Sequence, residues 1–179
     1  MKMSFILGLI FSTFITLANA SDFKKIPLTD FKTNTVIDLS TIDKTKPTYI
    51  KMWATWCQPC MEQMPHFQKT YEKYKNKINI LAINININEN TQYIDHVISQ
   101  FGLTMPVLLD NEGQLAVVLG LVGTPYSVLI NTDQNIVYTT HESDNILDTF
   151  IEKLAKGQKL ESKSSATLTE HDKNLIIAP

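Results

Sequence analysis

The sequence predicts an α/β fold: a mixed central sheet flanked by helices, with an N-terminal hairpin. Three observations carry this. Strand-like and helix-like segments alternate along the chain. Two of the strand-like runs, Thr48-Tyr49-Ile50-Lys51-Met52-Trp53 and the isoleucine-rich stretch from Ile78 to Ile87, are dense in β-branched and aromatic residues. The composition, 44% hydrophobic and 19% charged over 179 residues, is that of one globular domain able to bury a core, which excludes a wholly disordered chain.

The elements follow in order. Residues Phe23 to Lys46 mix short apolar pieces (Phe31, Val36, Ile37, Leu39) with Thr, Asn, Asp and Lys, which suits a hairpin. Pro47 opens the 48–53 run, assigned to a central strand. From Gln58, apolar Met61, Met64, Phe67, Tyr71 and Tyr74 recur every three or four residues, one stripe of an amphipathic helix, with Pro65 expected to kink it. In the second run Ile83, Ile85 and Ile87 alternate with Asn84, Asn86 and Asn88, and the asparagine half is expected to pass the sheet edge.

A helix over Thr91 to Gln100 is stopped by Gly102, and a short strand at Pro106 to Leu109 ends in the turn signal Asp110-Asn111-Glu112-Gly113. A short helix over Leu115 to Leu119 precedes the breaker Gly123-Thr124-Pro125. Strands at Ser127 to Ile130 and Ile136 to Thr140, separated by a turn at 131–135, lead to a helix from Asn145 to Lys156 closed by Gly157.

The start of the chain reads as an export signal over residues 1–20. Met1-Lys2-Met3-Ser4 is a basic n-region, Phe5 to Leu17 an apolar h-region, and Ala18-Asn19-Ala20 a small-x-small cleavage site. The alternative is an uncleaved anchor, but the apolar stretch is shorter than the ~20 residues of a spanning helix and contains Ser12, Thr13 and Thr16. A mature chain from Ser21 is expected, without stable membrane insertion, followed by a domain over 21–157 and a polar tail over 158–179 of loose order. Loss of Lys2 takes the formal net charge from −2 to −3, and no arginine is present, so nothing points to a nucleic-acid partner.

Chemistry concentrates at Trp53-Ala54-Thr55-Trp56-Cys57-Gln58-Pro59-Cys60, which holds both cysteines of the chain. They lie at a strand-to-helix junction, where the helix dipole and free backbone N–H groups favour a thiolate, the form that attacks disulfides. A bridge across two intervening residues closes too small a loop to act as a structural staple. Half of a zinc site would need further ligands at suitable spacing, and the histidines (His66, His96, His141, His171) are scattered. The pair therefore reads as a thiol-disulfide redox centre, with no metal or separate cofactor expected beyond the redox-active disulfide itself.

With these landmarks placed, residues 23 to 156 resemble the thioredoxin superfamily, most closely its exported TlpA-like and ResA-like thiol-disulfide oxidoreductases, and the long stretch between the Cys57–Cys60 helix and Pro125 is what the inserted helix and strand of these families would imply. The 53–60 segment resembles their W-x-x-W-C-x-P-C signature, Pro65 falls where their active-site helices carry a proline, and Gly123-Thr124-Pro125 resembles the loop whose cis-proline faces the cysteines. Two positions depart from the pattern. Gln63 stands where these families usually carry a glutamate three residues after the second cysteine, and Lys51 where thioredoxins carry a buried aspartate. Glu62, one helical step away, is rotated by about 100° and is not expected to substitute.

The resulting expectations are specific. Cys57, at the helix start, is the nucleophile and Cys60 the resolving thiol. Trp56, Gln58 and Pro59 shape the motif, and Thr124-Pro125, if cis, offers backbone to an extended substrate and keeps a metal from the thiols, the latter implied by the resemblance alone. Lys51 points beneath the active site; its stem either snorkels to solvent, or its amine stands near the cysteines and supports a thiolate or accepts the Cys60 proton.

The resemblance implies a periplasmic reductant of disulfides in exported proteins, with apocytochrome c as the substrate class and a membrane thiol-relay protein as electron donor. Two alternatives remain: a disulfide-donating oxidant, and a non-catalytic copper-binding module using Cys57 and Cys60 as soft ligands. His66, a third ligand for such a carrier, shares the expected polar helix face with Glu62, Gln63, Lys69 and Lys73, as a solvated histidine would. A peroxiredoxin-type peroxidase lacks its Thr-x-x-Cys context.

Overall fold

A computed structural model describes residues 23–160; the expected signal segment and nearly all of the 158–179 tail lie outside them. One seven-stranded sheet organises the chain. In sequence order the strands are β1 (Leu28–Asp30), β2 (Val36–Ile37), β3 (Thr48–Trp53), β4 (Asn79–Asn84), β5 (Val107–Leu109), β6 (Tyr126–Ile130) and β7 (Ile136–Thr140). The helices are α1 (Gln58–Tyr74), α2 (Thr91–Phe101), α3 (Gln114–Val118) and α4 (Asn145–Ala155). Across the sheet the order is β2-β1-β5-β4-β3-β6-β7, with β3, β4 and β5 mutually parallel and the remaining pairings antiparallel. The predicted mixed sheet, N-terminal hairpin and inserted α2–β5 segment are all present.

Central β3 is buried along its whole length, as a strand covered on both faces must be. Its register against β6 sets Tyr49 beside Leu129 and Lys51 beside Ser127, and Leu129 in turn lies beside Tyr138 of β7. Directly opposed residues share a face, so one sheet face presents Tyr49, Lys51, Ser127 and Tyr138. Helices α1 and α4 cover it. Phe67 of α1 meets Tyr49 edge-on at 5.3 Å between ring centres, and Phe150 of α4 meets Tyr138 at 4.8 Å. Between the two helices His66 and Asp148 pair at 2.9 Å on the exposed side.

The boundaries have local causes. Helix α2 begins where the Asn90 side chain accepts the Gln92 N–H, and it ends at Gly102 in the left-handed region (φ 58°). In α4 the Asp144 carboxylate accepts the Ile146 and Leu147 N–H groups. Buried Asp110 does the same for Leu115 and Ala116 at the start of α3. Helix α1 runs through Pro65 without interruption.

One expectation is corrected. The strand assigned to Ile78–Ile87 closes at Asn84, whose side-chain oxygen accepts the Asn86 N–H at 2.7 Å. Asn86 and Asn88 then take left-handed conformations (φ 50° and 53°), in which extended pairing cannot continue. Asn84, expected on the polar side of an alternating strand, is fully buried, and Ile87 is 49% exposed.

Candidate active site

Strands β3, β4 and β5 all end on the same side of the sheet, and the cysteines sit there. Cys57 is the N-cap of α1: its backbone is extended, and its sulfur accepts the Cys60 N–H at 3.2 Å. Pro59 in the first turn costs the helix nothing, since N–H groups there have no intrahelical acceptor. Cys57 and Cys60 form a disulfide. Cys57 is the more reachable of the two, but at 3% exposure it lies closer to the protein body than expected, because N-cap geometry turns its side chain back over the first helical turn. Cys60 is fully buried, while Trp56, Gln58 and Pro59 are exposed.

The Thr124–Pro125 peptide bond is cis. Thr124 is half-buried, its hydroxyl without a hydrogen-bond partner among the described residues, and Pro125 is buried. The Pro125 carbonyl accepts a hydrogen bond from His141 Nδ1 at 2.8 Å, and the His141 ring lies 4.9 Å from that of Tyr126. Sequence reasoning missed His141; the contact depends on the pairing of β6 with β7.

Glu89 was also missed. Its carboxylate accepts the Thr55 N–H and the Thr55 hydroxyl, each at 2.6 Å, and the Asn84 side-chain amide at 2.9 Å. Next to this the Trp56 indole N–H donates to the Ile87 carbonyl at 2.8 Å. The β4–α2 loop thus holds the loop preceding Cys57 through both a carboxylate and a backbone carbonyl. The sequence signal was one acidic residue set within the run of asparagines from Asn84 to Asn90.

Lys51 does not snorkel. It is 1% exposed, and its ammonium donates to Gln63 Oε1 and lies 5.7 Å from the centre of the Phe67 ring. Burial lowers its pKa from 10.5 to about 8. Gln63 therefore leaves the polar helix face assigned to it and turns inward, because a buried amine supplies the donor its amide oxygen takes. Glu62 does stay outside, accepting from Gln58 at 3.2 Å, and His66 is engaged with Asp148. Among the described residues no cluster of three or more His, Cys, Asp or Glu side chains is arranged to hold a metal ion.

A sheet of this order with a Cys-x-x-Cys disulfide opening a helix at its centre and a cis-proline before the next strand defines a thioredoxin-like fold. The chain belongs to the Redoxin family, whose model matches residues 18–152. It is 31% identical over 115 residues to the thiol-disulfide oxidoreductase ResA of Bacillus thuringiensis, covering 64% of this chain and 58% of that one. To the sporulation thiol-disulfide oxidoreductase A of Bacillus subtilis it is 30% identical over 104 residues, 57% of this chain and 63% of the relative. The chain thus spans less than two thirds of the length of each. Among solved structures, StoA from Bacillus subtilis superposes with a TM-score of 0.55 at 26% identity, over 66% of this chain and 90% of that one.

Proposed function

We propose that this protein is an exported thiol-disulfide oxidoreductase that reduces disulfides in other exported proteins, apocytochrome c being the favoured substrate class. The observation that carries the activity is the Cys57–Cys60 disulfide at the start of α1, with the Cys60 N–H directed at the Cys57 sulfur. That donor and the helix terminus stabilise negative charge on Cys57, so the reduced form has a nucleophile ready at its outer position. The names of the ResA and sporulation relatives support the reaction class.

In the cycle, Cys57 thiolate attacks a substrate disulfide, forming a mixed disulfide and releasing one substrate thiolate. Cys60 then attacks the Cys57 sulfur, the second substrate thiolate leaves, and the Cys57–Cys60 bond re-forms; two electrons have passed to the substrate. The Thr124-Pro125 segment supplies backbone for an extended substrate to pair with. A membrane thiol-relay protein restores the dithiol in the periplasm. Among the described residues no helix is long and apolar enough to cross a membrane.

Insulin reduction by the dithiol-charged protein tests the activity: it is expected to persist with a copper chelator and vanish in Cys57→Ser. Loss on chelation would favour the copper-carrier reading instead. A disulfide-donating oxidant is the second reading, favoured by one observation, the buried amine of Lys51, because cationic surroundings stabilise the reduced, thiolate form. Equilibration with glutathione separates the two: a potential near the reducing end of the scaffold's range, about −270 mV, supports a reductant, and one near about −120 mV an oxidant.

A further inference from the structure

A buried cation lies under α1, the helix that the redox pair opens. Lys51 leaves β3 on the sheet face covered by α1, and its ammonium is held by Gln63 and borders Phe67. On a helix, residues three and four apart share a face. Cys60, Gln63, Met64 and Phe67 therefore form one inward row, and the amine sits under the turn directly following Cys60.

The surroundings offer the amine little else. In register beside it stand Ala82 of β4 and Ser127 of β6, both uncharged. The elements packed on this face carry Tyr49 on its own strand, the two cysteines, Glu62, His66 and Glu72 on α1, Tyr138 on β7, and Asp148 and Glu152 on α4. The Tyr49 hydroxyl shares a hydrogen bond with Ser127 at 3.2 Å, and Asp148 is engaged with His66 at the surface. Glu62 of α1 faces solvent and bonds Gln58. Among the described residues the ammonium of the disulfide form thus has a neutral amide as its acceptor and no anion beside it to offset its burial.

We propose that Lys51 is the countercharge of the reduced site, an ammonium held under α1 by Gln63 that stabilises Cys60 as a thiolate. The inference rests on the disulfide-exchange reading above and deepens it. Lys51 acts on substrate only through Cys60. In the mixed disulfide the Cys60 thiol gives its proton to water, and the thiolate, stabilised by the ammonium, attacks the Cys57 sulfur. The Cys57–substrate bond breaks, the Cys57–Cys60 bond forms, and the departing substrate thiolate takes a proton from water. Two electrons move from the cysteine pair to the substrate, and proton count is conserved. The same charge stabilises the dithiol state and moves the couple towards the oxidising end of the scaffold's range.

The test is a titration of Cys60 by thiolate absorbance in the full chain carrying Cys57→Ser, alone and combined with Lys51→Met, Gln63→Glu or Gln63→Leu. An opposite charge at close range lowers a thiol pKa by a unit or more. Lys51→Met is therefore expected to reduce the thiolate fraction at a fixed pH on the flank of the titration about tenfold. Gln63→Glu, which gives the ammonium a carboxylate partner, should act in the same direction, whereas Gln63→Leu should leave the pKa low.

With both cysteines present, Lys51→Met should shift the glutathione equilibrium about tenfold towards the disulfide, 29.6 mV for a two-electron couple. Unchanged pKa and equilibrium in Lys51→Met would overturn the proposal. Should that variant not fold, equal Cys60 pKa values in Gln63→Glu and Gln63→Leu would overturn it as well. Failure of the wild type to reduce any protein disulfide would sink the functional reading instead, since both titrations report on the cysteines without a substrate.

Discussion

Replacing Lys51 by methionine in the disulfide form should make the protein more stable at neutral pH. The folded state lowers the Lys51 pKa from 10.5 to about 8 by burial. At about 1.4 kcal/mol per pH unit, that displacement corresponds to an unfavourable contribution of about 3 kcal/mol while the amine is charged in both states. Methionine has a similar length and no charge to desolvate. It also leaves Gln63 without its donor, which costs about 1 kcal/mol. The net expectation is a gain of about 2 kcal/mol at pH 7.

The pH dependence gives the sharper signature. Between about pH 8 and pH 10.5 the unfolded chain binds the Lys51 proton and the folded one does not, so wild-type stability should rise relative to the variant across this window. Above it the amine is neutral in both states and the advantage of methionine disappears. Urea unfolding of the two oxidised proteins at pH 7, 9 and 10.5, compared as differences, isolates this one group from the other lysines and tyrosines. A variant less stable than wild type by the same amount at every pH would refute the reasoning, since it would make Lys51 a net packing contributor with no desolvation cost.

Glu89→Gln should destabilise the protein by about 2 kcal/mol in urea unfolding, because a carboxylate accepting from Thr55 and Asn84 is replaced by an amide with one acceptor oxygen. Asp144→Ala removes the cap of α4 and should cost about 1 kcal/mol in the same assay. Cys60→Ser, unable to resolve the first exchange, should accumulate mixed disulfides visible on non-reducing gels, and a second substitution, Cys57→Ser, should abolish them.

How much of this could be read in the sequence depended on whether the signal was local. Strand β3 was delimited by Pro47 and the motif, and α2 by Gly102, so their bounds match to within a residue. The cysteine pair and Pro125 were legible for the same reason: each is a short pattern with a fixed backbone consequence, whereas α1 continues through Pro65. The end of β4 was not, because it is set by a side chain folding onto its own backbone at Asn84, which a pattern of alternating isoleucines conceals. The inward turn of Gln63 was hidden as well, since helix periodicity assigns a neutral amide to solvent unless the buried donor twelve residues earlier is known. Glu89 and His141 act across 34 and 16 residues of chain, distances that only the sheet closes.

The three parallel strands at the centre deliver their following segments to a single rim, and the residue before β6 enters the strand from the same edge. The loop leading into Cys57, the exposed first turn of α1 and the Thr124-Pro125 segment therefore lie on that rim, while the strands that fix their anchor points are buried behind them. Preference for one client over another can be rewritten there by insertion or substitution, leaving the framework that holds the sulfurs unaltered.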